Sequence, residues 1–500
     1  MFQLLERADR VRREVSPTLG LKRKSALGQF MTSASVARFM AEMFPDSSRD
    51  KCRLLDAGAG LGALSCAFLD RWAAGGFRFT SVEADAYEID ETLRKHLAAT
   101  LASYSETLDL TIAISDRDFI EHAARLCLDG RGILKNGLEG FSHAILNPPY
   151  RKINTMSVHR QTLHKVGIET VNLYSAFVAL ALELMAPGGQ LVAIVPRSFC
   201  NGPYYRPFRD LIFKQSAIRA MHLFDSRSKA FKDDDVLQEN IIIRLERDGQ
   251  QGEVTVSTST DDSFSDLVTK THPFNRIVIP GDVERFIHVP TSTDLNAVET
   301  SAAVNCSLVD LGVNVSTGPV VEFRLREHLR ELPEPGTVPL LYPGHFGGSG
   351  LTWPSVGIRK PNAIVRSGET EKWLYPSGFY CVVRRFSSKE ERRRIVASVV
   401  RPSAFDDAEM LGFENHLNVY HHGRNGLPEV MAHGLAAYLN TNAVDENFRR
   451  SSGHTQVNAT DLKIMKYPSR GALISLGTWA MEQRELTQEM LDKQFSALTA

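Results

Sequence analysis

Between Arg53 and Leu245 the chain alternates short apolar runs with stretches of helical periodicity, and no other feature restricts its fold so strongly. The runs are Arg53–Leu55, Phe77 to Val82 ending in Glu83, Leu110–Ile114, Ala144–Leu146 ending in Asn147, Leu191–Val195 and Ile241–Leu245. Helices are expected over Val36–Met43, behind Thr32 and Ser33 as capping residues, and over Ala63–Trp72, Ile89–Ala99 and Ser175–Met185. A turn at Pro187–Gly189 separates the last of these from its strand. Strands joined by helical crossovers cannot be hairpins, so the pattern specifies an α/β, doubly wound, mainly parallel sheet.

The pattern stops after Leu245. Residues 251–300 are rich in Ser, Thr, Asp and Pro and read as a connector. Residues 301–500 carry short β-like pieces such as Val338–Tyr342 and Tyr380–Phe386 between glycine, proline and asparagine turns, and are expected to form a separate mixed α+β domain. Residues 1–250 form the first domain on this division, and 43% apolar residues supply a core for each. The net charge of −1 excludes a protein that coats nucleic acid indiscriminately, but basic residues cluster locally at Lys22–Lys24, Arg384–Arg385, Arg392–Arg394 and Arg449–Arg450. Six dispersed cysteines without metal-type spacing imply reduced thiols and no zinc or other metal site. The N-terminus has arginines and no long apolar segment, and the most apolar stretch, near 175–196, is broken by Glu183 and the Pro187–Gly189 turn. A cytoplasmic protein without membrane association is expected.

The strand ending at Asp56 runs into the glycine turn Gly58-Ala59-Gly60-Leu61-Gly62 and then a helix, an arrangement shared by many nucleotide-type cofactor sites. An acid about twenty residues on, Glu83, can accept both hydrogens of a ribose diol. A diphosphate would avoid an acid at the head of the turn, whereas Asp56 suits the cationic α-amino group of S-adenosylmethionine, the cofactor preferred on charge. Beyond the third strand, Asp118 can accept from an adenine amino group while Phe119 meets the ring; the alternative is an N-cap aspartate with a buried phenylalanine. Asn147-Pro148-Pro149-Tyr150 follows an apolar strand, and its prolines fix the backbone. A planar amine is a poor nucleophile. The Asn147 side-chain oxygen and the Pro148 carbonyl can accept its two N–H bonds, and Tyr150 can stack on a base that has left the duplex.

With these motifs in hand, residues 20–250 resemble the γ class of amino-group DNA methyltransferases, with the TaqI-type and PstI-type adenine enzymes as examples. Gly28-Gln29-Phe30-Met31-Thr32 matches a segment that precedes the glycine turn in that family, although Ser33 stands where Pro is usual. The resemblance implies a Rossmann-like S-adenosylmethionine-binding fold, gives Thr32 a role on the cofactor's carboxylate and puts Phe177 beside its adenine. It also implies a phenylalanine from a late loop as the second face of the target-base pocket; Phe231 fits by position, and Phe224 is a rival. By the same resemblance, residues 301–500 would be the target-recognition domain. The protein would methylate N6 of a flipped adenine in double-stranded DNA, as the modification component of a restriction-modification system with a separately encoded endonuclease. Arg151–Val171, with several basic residues against Glu169 alone, suits phosphate contact, and segments 421–426 and 449–458 contain side chains that read base edges. The alternatives are N4-cytosine methylation, methylation of RNA or a protein glutamine, and an inactive DNA-binding specificity module. Intact Asp56, Glu83, Asp118 and Asn147 disfavour the last.

Overall fold

The computed structural model describes residues 3–15, 31–129, 140–224, 239–293, 295–347, 350–387, 391–451 and 456–499. The chain divides into two compact units, Met1–Thr293 and Asp294–Ala500.

The first unit begins with helices α1 (Gln3–Val15) and α2 (Ala34–Glu42). It continues with strand β1 (Lys51–Ala57), α3 (Ala63–Ala73), β2 (Ser81–Tyr87), α4 (Glu91–Ser105), β3 (Leu110–Ser115) and α5 (Phe119–Leu128). Next come β4 (Phe141–Leu146), α6 (Val158–Lys165), α7 (Leu173–Leu184), β5 (Met185–Pro196) and α8 (Arg206–Gln215). Strands β6 (Ser216–Phe224), β7 (Asn240–Arg247), β8 (Val254–Ser259) and β9 (Val268–His272) complete it.

Its nine-stranded sheet has the order β3-β2-β1-β4-β5-β7-β6-β8-β9. The first five are mutually parallel, and β7 lies antiparallel to both neighbours. Successive strand residues feed opposite cores, as a period of two requires. Leu54 and Ile145 pack with α2, α3 and α4, whereas Leu55, Ala144 and Leu146 pack with α5 and α7. Helix α7 is apolar almost all round and buried along nearly its whole length, as befits an element sandwiched within the layers. The doubly wound sheet expected from the alternation is thus present.

Three expectations change. The Pro187–Gly189 turn is absorbed into β5, which runs on from Met185 with a register irregularity opposite Phe141–His143. Gly188 takes φ +74°, and a Cβ on Gly189 would meet the Ala186 and Phe141 carbonyl oxygens, so the glycines build a bulge rather than a stop. The apolar run from Phe77 is only partly strand: Phe77 and Phe79 join an aromatic cluster with Phe68 and His143 ahead of β2. Finally, the segment expected as a connector, 251–300, contributes β8 and β9 to the sheet. β9 forms the edge, and the hydroxyls of Ser257 and Ser259 in β8 are buried against the His222 ring.

The second unit has a four-stranded antiparallel sheet in the order Asn314–Thr317, Leu417–His421, Tyr380–Arg384, Ala397–Val400, and a five-stranded sheet beside it in sequence. Helices Glu429–Leu439 and Arg470–Glu482 cross at Gly434 and Gly477, where a Cβ on either would run into a backbone carbonyl of the other helix. Several basic residues that read as surface charge in the sequence are bound internally. Asp445 accepts from the Arg394 amide at 2.6 Å and from Arg449 Nε at 2.7 Å, and Arg393 donates to Gln488 and the Thr441 carbonyl.

Candidate functional site

One cavity of the first unit collects most of the residues singled out from the sequence: Thr32, Gly58, Gly60, Asp118, Phe119, Asn147 and Phe177 all line it. They meet because β1, β2 and β4 are parallel neighbours, so the segments that follow these strands emerge at one edge of the sheet.

After β1 the chain turns through Gly58, Gly60 and Gly62, all with positive φ, which favours glycine. The Gly58 and Ala59 amides donate to the Tyr87 carbonyl at 2.9 Å, tying the turn to the end of β2. Gly62 then caps α3 without a side chain, leaving first-turn amides for other partners.

Two acids are placed differently from expectation. Asp56 does not line the cavity. It is 1% exposed beneath the turn, accepts from Ser65 Oγ at 2.6 Å, and burial lifts its carboxyl to about 7. A carboxyl sealed from the cavity tethers α3 rather than meeting an ammonium group. Glu83 lies mid-strand in β2 with its side chain 63% exposed, near Arg53. The acid at the strand end is Glu88, which is 3% exposed and lines the cavity. Its two oxygens accept from the Gly60 amide at 2.9 Å and the Asp90 amide at 2.7 Å. The displacement follows from the aromatic run at Phe77, which imitates a strand. The alternation of Val82, Ala84 and Ala86 with Glu83 and Asp85 carried the true register.

Asp118-Phe119 takes the N-cap arrangement, and both residues also line the cavity. Asp118 caps α5 by accepting from the Glu121 amide at 3.0 Å, and its other oxygen accepts from His159 Nε2 at 3.0 Å. Burial opposes ionisation of Asp118, but the His159 and backbone hydrogen bonds prevail and hold its carboxyl below the usual range. The Asp118 bond in turn raises the His159 imidazole against its partial burial. Phe119 packs edge-on to Tyr87 and at 5.0 Å from Phe177, making an apolar wall.

Asn147 leaves the end of β4, and its amide is held at both ends. Nδ2 donates to Thr32 Oγ1 at 3.0 Å, while the Tyr150 hydroxyl donates toward Asn147 Oδ1 and the Ile194 carbonyl, each at 3.1 Å. Pro149 and Arg151 line the cavity with Asn147, whereas Pro148 and Tyr150 are not among the residues that line it. Tyr150 packs edge-on against Tyr174, and burial pushes its hydroxyl far above the ordinary tyrosine range. In this arrangement its hydroxyl braces Asn147, while the ring is partly buried. Phe231 and the segment Gly28–Phe30 lie outside the described residues. The rival Phe224 is a core residue against His222 and Phe264.

The segment expected as a basic loop, Arg151–Val171, contains helix α6, capped by Ser157. Its ends are pinned side by side by the Ile153 to Val171 and Leu173 to Arg151 backbone bonds. Of segment 421–426, Arg424 is engaged internally with the Lys372 carbonyl and the Tyr375 ring. Among the cavity residues that the sequence reading did not single out are Glu88 and Arg12 of α1. No helix among the described residues is long and apolar enough to cross a membrane.

Residues 67–231 match the family model described as Eco57I restriction-modification methylase. Over 485 residues the chain is 51% identical to the type II methyltransferase M.BsuBI of Bacillus subtilis, covering 97% of this chain and 96% of that protein. It is 39% identical over 472 residues to the type II methyltransferase M.PstI of Providencia stuartii, with 93% and 91% covered. Among solved structures, the type IIL restriction-modification enzyme MmeI in complex with DNA shares the fold at a TM-score of 0.53 and 11% identity, over 90% of this chain and 68% of that one.

The Asp118–His159 pair gives a pH prediction. The ion pair is complete below the raised pKa of His159 and above the lowered pKa of Asp118, and it weakens as pH rises through the former. An NMR titration should find His159 titrating above ordinary histidine, and Asp118→Asn should bring it down; an unshifted His159 contradicts the pairing.

Proposed function

The chain belongs to the type II DNA methyltransferases of restriction-modification systems, the family of M.BsuBI and M.PstI, and we propose that its cavity binds S-adenosylmethionine and serves methylation of N6 of an adenine flipped out of double-stranded DNA. The observation that carries this is the Asn147 amide, fixed at the cavity wall by Thr32 and Tyr150.

The donor set suits the cofactor. Phe119 and Phe177 offer an apolar wall to a purine, Asp118 an acceptor to its amino group, and Glu88 a carboxylate to a ribose diol. When bound, S-adenosylmethionine supplies an electrophilic methyl group on its sulfonium. The protein's part is to make the amine a directed nucleophile. Thr32 holds the nitrogen end of the Asn147 amide, so the oxygen end is left to face the amine. That oxygen has a second lone pair beside the one shared with Tyr150, and the Pro148 carbonyl adds a second acceptor. Two acceptors on the N–H bonds draw the nitrogen toward a tetrahedral shape, releasing its lone pair from conjugation with the ring, and stabilise the positive charge that builds on nitrogen. The proton is lost once the N–C bond has formed and the C–S bond has broken.

On this reading residues 1–250 carry catalysis, and residues 301–500 recognise the DNA target. Double-stranded DNA is the macromolecular partner, and a separately encoded endonuclease cuts the same site when it is unmethylated. Phe231 supplies the second face of the base pocket.

Asn147→Ala should lower methyl transfer to DNA by about 100-fold or more, while S-adenosylmethionine binding measured by calorimetry stays close to wild type. Near-wild-type transfer would refute the mechanism. Glu88→Gln should weaken cofactor binding by about tenfold or more, whereas Glu83→Gln should leave it unchanged. The reverse ranking would restore the ribose role to Glu83.

A further inference from the structure

The Asn147 amide is held at its nitrogen end by Thr32, and Thr32 stands directly before Ser33, the cap of α2. Whatever holds the head of α2 therefore bears on the reaction. On one side Asp9 of α1 accepts from the Ala34 amide at 3.3 Å. On another the turn 260–267, between β8 and β9, brings in an acid 229 residues away in sequence. Asp262 Oδ2 accepts from Ser33 Oγ at 3.2 Å and from Ser35 Oγ at 3.1 Å. Ser33 Oγ thus accepts from the Val36 amide as the cap and directs its own proton at Asp262. The first turn of α2 contains no acid of its own, so Asp9 and Asp262 supply the negative charge that a helix N-terminus favours.

The same turn takes a second grip on the helix. Phe264 stacks on Phe39 of α2, with ring centroids 4.2 Å apart and 11° between the planes, and also meets His222 and Phe224 of β6. Its φ of +53° is unfavourable for a bulky side chain and persists only where neighbouring contacts enforce it. Here Thr260 donates to Asp266 from both amide and hydroxyl, and Ser263 donates to Asp261 Oδ1 from its amide at 3.0 Å and its hydroxyl at 2.6 Å. A plain connection between β8 and β9 needs neither a strained aromatic nor an acid aimed at another element. Both are explained if the turn serves α2.

We propose that Asp262 is a positioning residue for methyl transfer, fixing the start of α2 through Ser33 so that Thr32 Oγ1 keeps the nitrogen end of the Asn147 amide engaged. This rests on the reading of Asn147 as the acceptor for the substrate amine. Once Thr32 is displaced, the amide is free to rotate and to present its NH2 donor where an acceptor is needed. A small misplacement of such a group is costly in a directed transfer.

The test follows the single-turnover rate of labelled methyl transfer from S-adenosylmethionine to duplex DNA on the full chain, with cofactor binding measured by calorimetry. Asp262→Ala should slow transfer by about tenfold and leave cofactor affinity close to wild type. Asp262→Asn, which keeps an acceptor oxygen for the serine hydroxyls, should retain most of the rate. Thr32→Val removes the contact to Asn147 and should also slow transfer. In that background Asp262→Ala should add nothing, because both changes act on one contact. An undiminished rate in Asp262→Ala, or an equal loss with and without the Thr32 hydroxyl, overturns the positioning role. Wild-type transfer by Asn147→Ala overturns instead the reading of Asn147 on which the proposal rests.

Discussion

The parallel pairing of β1 with β4 is the constraint on which the site depends. Leu54 and Leu55 lie in register with His143 and Ala144, so Gly58 and Asn147 leave the same edge of adjacent strands. The strand order reverses direction of growth at this pair, with β2 and β3 on one side and β5 on the other. A crevice must open there, because the connections from the two strands diverge to opposite faces of the sheet. The closeness is visible at Gly58, where a Cβ would come within 4 Å of both Phe177 and the Asn147 carbonyl. The 88 residues between Gly58 and Asn147 are spanned by backbone hydrogen bonding between two buried strands.

Around that point the side chains brace one another. Thr32 and Tyr150 fix the Asn147 amide, Glu88 joins the glycine turn to the start of α4, and His159 reaches Asp118 from the segment following the Asn147 motif. Cofactor and substrate groups would therefore enter a set of acceptors already oriented, which is how electrostatic stabilisation avoids a reorganisation cost at the moment of reaction. The Asp118–His159 bond also links the Phe119–Phe177 wall of the cavity to the basic segment around α6.

What was legible in the sequence was what is locally encoded. Glycines with positive φ, prolines that fix a backbone and an N-capping aspartate identify their own conformation, so the turn, the Asn147 motif and the Asp118 cap could be read directly. Properties set by distant partners could not. Asp56 looks like a ligand in sequence and is a buried tether, because Ser65 and the overlying turn enclose it. Glu83 reads as the strand-end acid because Phe77 and Phe79 belong to a tertiary aromatic cluster that resembles a strand when read linearly. Arg12 was hidden among neighbouring arginines of one helix, and only the packing of α1 singles it out. In the second unit, Arg393, Arg394 and Arg449 read as surface charge but satisfy carbonyls and Asp445 inside it. Composition cannot tell such arginines from those that meet phosphate.

The central claim is that the braced amide of Asn147 directs the exocyclic amine of adenine toward the methyl group. Mass spectrometry of nucleosides from duplex DNA incubated with the protein and S-adenosylmethionine tests it most directly. The account predicts N6-methyldeoxyadenosine as the methylated nucleoside. N4-methyldeoxycytidine in its place, or unmethylated DNA from protein that binds the cofactor, would contradict it.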